Sequence, residues 1–106
     1  MTREYEFGLN LLNKIHEELE ALSKVEDRKL AKELTQAVIN PIIASAYQIK
    51  VGEGPHKDKL LGILFPLIRE LRELQDLEKV RALAFELLQT LDGAKEEVSL
   101  KEEEKS

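Results

Sequence analysis

The chain has 106 residues, 42% hydrophobic and 35% charged, enough for one domain with a core and a charged surface and too apolar for wholesale disorder. Aromatics at 5%, five glycines and three prolines leave little turn material for an all-β fold and favour helix-on-helix packing. A net charge of −5 argues against a nucleic-acid partner, whose affinity rests on neutralising phosphates.

The first expected element is one amphipathic helix over residues 3–23. Tyr5, Gly8, Leu12, Ile15, Leu19 and Leu22 recur at steps of three and four, while Glu17, Glu18 and Glu20 occupy other faces. Gly8 lies on the apolar stripe, where it permits close approach of another helix. Residues 23–27 form a turn. A second helix begins near Glu26, with Leu30, Leu34, Ala37 and Val38 on its apolar side. Asn40-Pro41 then presents two alternatives. Proline lacks an amide donor and disfavours helical geometry in the residue before it. Either Pro41 kinks one long helix, or Asn40 caps a new helix that opens on Pro41. The kink is preferred, because no turn residues flank the pair.

Thr35 to Ile49 carries no charge. Its apolar residues point all around a helix, and a helix apolar all round is buried on every side. A small bundle seldom encloses a helix so completely by itself. The expectation is therefore an interface with a second copy of the chain or another protein, formed by Ile39, Ile42, Ile43, Ala46, Tyr47 and Ile49.

Residues 50–55 read as a loop. A third helix follows, with Leu60, Leu64, Leu67, Leu71 and Leu74 on one stripe and Leu61, Ile63, Phe65 and Ile68 widening it. Pro66 should kink this helix without breaking it, since Gly62 four residues earlier absorbs the crowding. After Leu74 the apolar phase slips to Leu77, Val80, Ala84, Leu87 and Leu91, and Asp76 at the slip is placed to cap a fourth helix. Gly93 should stop that helix. The expected fold is an all-α, four-helix antiparallel bundle over residues 1–93, kinked at Pro41 and Pro66, followed by a charged, solvated tail over 94–106.

The chain is rich in Glu and Lys and poor in Gln, Asn, His and Met, a bias that heat favours. In this composition it resembles the small helical proteins of hyperthermophilic archaea. That resemblance spans the whole chain, implies a heat-adapted source, and transfers no functional residue, since no motif carries it.

Candidate chemistry is sparse. Without cysteine there is no disulfide or thiolate chemistry. His16 and Glu20 stand one helical turn apart and read as a surface pair. His56 follows Glu53 by three, but Gly54-Pro55 between them rules out the helical Glu-x-x-His spacing of carboxylate metal sites. Two acidic pairs, Glu17-x-x-Glu20 and Glu73-x-x-Asp76, have the spacing by which all-helical nucleoside triphosphate pyrophosphohydrolases hold magnesium. Glu73 and Glu17 nevertheless point away from their apolar stripes. A second alternative is a small-molecule pocket opened by the proline kinks and lined by Asn40, Ser45, Tyr47 and Gln48. The leading expectation is a non-enzymatic interaction or self-association module with no cofactor or metal. No leader-like segment follows Met1, and the longest apolar run, Ile63–Ile68, is far below the roughly 20 residues that span a bilayer. The expected partners thus exclude membrane and nucleic acid, and the expected location is cytoplasmic.

Overall fold

In the computed structural model, the backbone is described for residues 1–105 and the side chains for 1–99. Every regular element among the described residues is a helix: α1 (Arg3–Lys14), α2 (His16–Leu22), α3 (Arg28–Val51), α4 (Lys57–Glu73) and α5 (Leu77–Lys105). No helix among them is long and apolar enough to cross a membrane.

Local chemistry sets most of the boundaries. The Thr2 hydroxyl accepts from the Tyr5 amide and caps α1. The Asp27 carboxylate accepts from the Lys29 and Leu30 amides at the head of α3. Asp76 caps α5 as expected, accepting from the Lys79 amide at 3.1 Å. Each such cap satisfies a first-turn donor that has no partner within the helix.

Two boundaries differ from expectation, and another decides between the two alternatives at Pro41. The single helix over 3–23 is two helices, because the Ile15 amide bonds three residues back to the Leu12 carbonyl and its backbone leaves helical geometry. No proline or glycine causes this. The break follows packing: α1 lies against α3, whereas α2 carries the contact with α5. Second, α3 runs unbroken from Arg28 to Val51 with Pro41 inside it, so Asn40 does not start a new helix. Third, α5 does not stop at Gly93 but continues to Lys105. Ala94 is fully buried and Val98 packs against the core, extending the stripe of Val80, Ala84, Leu87 and Leu91.

Packing runs from α1 to α3, α3 to α4, α4 to α5, and α5 back to α2. The enclosed core is almost wholly aliphatic: Leu12, Leu19, Ile42, Ile49, Leu64, Leu67, Leu87 and Leu91 are among its fully buried side chains. Two close approaches lock one end. Gly8 lies against α3, where an added Cβ would sit 2.8 Å from Ile49 Cγ1, and the Ser45 hydroxyl donates to the Gly8 carbonyl at 2.9 Å. Nearby, the α3–α4 loop is gripped by the chain's first residues. Thr2 and Glu53 exchange two hydrogen bonds, and the buried Tyr5 hydroxyl donates to the Pro55 carbonyl. The Tyr5 ring fills the space where a side chain at Gly54 would go.

Candidate functional site

The uncharged window of α3 has two unlike faces. Val38, Ile42, Ser45, Ala46 and Ile49 point inward and are buried by the chain itself. Of the six residues expected at an interface, Ile42, Ala46 and Ile49 therefore cannot reach a partner. The chain encloses only the inner side of this helix, which α1 and α4 flank, so the window is not buried on every side as expected. The other three lie elsewhere on the helix: Ile39 and Ile43 are half-buried at the edge of the core, and Tyr47 is exposed.

Outward from these runs a stripe without charge. Gln36, Asn40, Ala44, Tyr47 and Val51 recur at steps of three and four and are all exposed. Across the short 52–56 loop, α4 packs beside α3 in the opposite direction, so the two uncharged windows lie side by side. On α4 this places the exposed Phe65 and half-buried Leu61 beside them. Phe7 stands on the opposite flank, adjacent to Gly8 at the α1–α3 crossing. Exposures are 51% for Phe7, 62% for Tyr47, 53% for Val51 and 48% for Phe65.

Sequence periodicity assigned Phe65 to a broadened core stripe. It follows Leu64 by one residue, and ~100° of rotation carries it out of the core. All three phenylalanines of the chain are about half exposed, whereas the core holds one aromatic, Tyr5. That inversion is the strongest sign that the apolar exterior is more than unavoidable leftover surface, since isolated exposed apolar residues are ordinary and clusters are not.

The remaining candidates resolve into structural roles. His16 pairs with Glu20 at 3.6 Å. His56 pairs with Glu97 at 2.8 Å, tying the α3–α4 loop to α5, and Glu53 pairs with Lys57 at 3.0 Å. Glu17 and Glu73 are exposed, and Asp76 is engaged as a helix cap. Among the described residues no three His, Asp or Glu side chains gather closely enough to hold a metal ion. In the charged segment around the α4–α5 turn, Glu70 is nearly buried between Arg69 and Lys79 at 3.6 and 3.7 Å. Arg81 instead donates to the Val25 carbonyl and clamps the α2–α3 turn. Ser45 is committed to the Gly8 carbonyl, Asn40 and Tyr47 face outward, and none of them lines the cavity beside Glu6 and Lys95 or a smaller one beside His56. The smaller, about 130 Å³, lies between α4 and α5 beside His56, Lys59 and Gln89.

Burial pushes the Tyr5 phenol up to about 12, with the nearby Glu97 carboxylate adding to the effect. It is a structural anchor held protonated and not a proton donor poised for chemistry near neutrality. Compared with known proteins, the chain matches no family model, no curated protein and no solved structure.

Proposed function

We propose that the protein is a non-enzymatic helical module that self-associates as a homodimer through the outer face of α3 and α4. The observation that carries this reading is the cluster of Ile39, Ile43, Tyr47 and Phe65 on a surface without charge, in a chain that is 35% charged. An acidic protein repels its own copies except where it carries no charge, and this face is such a place. A twofold arrangement would set the face against itself, which requires no complementary charges. Burying a large apolar side chain contributes about 1.5–3 kcal/mol, so a few half-exposed ones from each copy suffice to drive association. On this reading α1 and α2 act as one arm of a four-helix bundle, and Pro41 and Pro66 bend their helices so that the outer face curves. The Lys- and Glu-rich composition supports a heat-adapted source.

Sedimentation equilibrium tests the proposal. The wild-type chain is expected to be dimeric at micromolar concentration. A Tyr47→Glu/Phe65→Glu variant is expected to be monomeric with an unchanged far-ultraviolet spectrum, because both side chains already face solvent. A wild-type chain that stays monomeric at high micromolar concentration would overturn it.

A further inference from the structure

The break at Ile15 has a geometric result on the far side of the molecule. Because α2 and not α1 carries the packing onto α5, a cleft of about 360 Å³ opens between α1 and residues 95–99 of α5. That volume falls within the range of about 300–1,000 Å³ typical of small-molecule sites. Its polar lining comes from Glu6, Asn10 and Asn13 on α1 and from Lys95 and Ser99 on α5. Leu9 and Val98 supply an apolar floor.

We infer that this cleft binds a small zwitterion, a free polar amino acid, independently of any self-association at α3 and α4. Three observations support it. The α1 residues are spaced by four and three, and Lys95 and Ser99 by four, so each set shares one side of its helix and the two sets face each other. Glu6 and Lys95, the two charges of the lining, form no ion pair with another side chain among the described residues. Finally, the chain contains three asparagines, and two of them meet here. Asparagine is a weak helix former and a heat-labile residue. Spending two of three within one helix of an amide-poor chain is unfavourable for folding alone.

The class of ligand follows from the charges. With α1 and α5 antiparallel, Glu6 lies toward the Ser99 end of the cleft and Lys95 toward the Asn13 end. An ammonium group suits Glu6 and a carboxylate suits Lys95, each as a charge-assisted hydrogen bond. The asparagine amides both donate and accept, which matches an amide or hydroxyl side chain, and the Leu9–Val98 floor takes its aliphatic stem.

Titration of the isotope-labelled full chain, followed by amide chemical shifts, provides the test. Three probes are used: L-glutamine, N-acetyl-L-glutamine without the ammonium, and L-glutaminamide without the carboxylate. L-glutamine is expected to give saturable shifts around Asn10, Asn13 and Lys95. Each capped probe should bind about tenfold more weakly, the effect of losing one hydrogen bond to a charged group. Glu6→Gln and Lys95→Met should weaken L-glutamine to the same degree while leaving the rest of the spectrum in place. The Tyr47→Glu/Phe65→Glu protein should bind like wild type, which separates this inference from the dimer. Non-saturable shifts, equal binding of all three probes, or indifference to both cleft substitutions would each overturn it.

Discussion

At Tyr5 an apolar ring and a polar oxygen are enclosed together. The ring fills the space beside Gly54 while the hydroxyl satisfies the Pro55 carbonyl. Tyr5→Phe keeps the packing and orphans that carbonyl, so it should cost about 1–2 kcal/mol at neutral pH in a urea unfolding curve. The pH dependence has a definite sign. The phenol's value rises from 10.0 in the unfolded chain to about 12 in the fold, so the stability it contributes is fully present below pH 10. That contribution is lost as pH rises through about 12. The wild type should therefore lose stability across this alkaline window more steeply than Tyr5→Phe, and parallel curves would refute the assignment. Tyr5 was legible in the sequence as a core position. Its partner was not, because a hydrogen bond across fifty residues depends on where the loop arrives.

At the scale of elements, caps were easier to read than interruptions. Asp76 announced the start of α5 because a carboxylate just before a phase change has an evident use, satisfying the exposed first-turn amides. Ile15 announced nothing, since the cause of the break is the divergent packing of α1 and α2. Gly93 misled for the opposite reason: glycine often ends helices, but only by adopting a left-handed backbone, and here its φ is not positive. The apolar steps continue through it to Ala94 and Val98, and that continuation is visible in the sequence once glycine's stop signal is discounted. An added Cβ at Gly93 meets nothing closer than His56 Nε2 at 3.9 Å. Gly93→Ala should therefore stabilise the protein by about 0.5–1 kcal/mol in chemical denaturation. A helix-ending glycine would give a loss instead, so the sign of the change decides.

The whole molecule is a rod-like body of 47 × 22 × 19 Å, with the uncharged α3–α4 face on its long side and the polar cleft at the opposite helix pair. If the composition reflects heat adaptation, calorimetry should give a Tm above about 80 °C. If the chain dimerises, that Tm should rise with protein concentration, because association stabilises only the folded state. A concentration-independent Tm near that of ordinary mesophile domains would count against both readings.

The sequence by itself determined that the chain is helical, roughly where the helices lie, and that residues 35–49 supply core positions, because hydrophobic periodicity and capping act locally. Only the tertiary structure decided which side of that segment is enclosed. Ile42, Ala46 and Ile49 turned inward, Tyr47 turned outward, and Phe65 left the core to stand near it. Nor did periodicity reveal the cleft between α1 and α5, which lies where α1 packs on α3 while α2 carries the contact with α5. Periodicity says that a residue seeks cover; the arrangement of neighbouring helices settles what covers it.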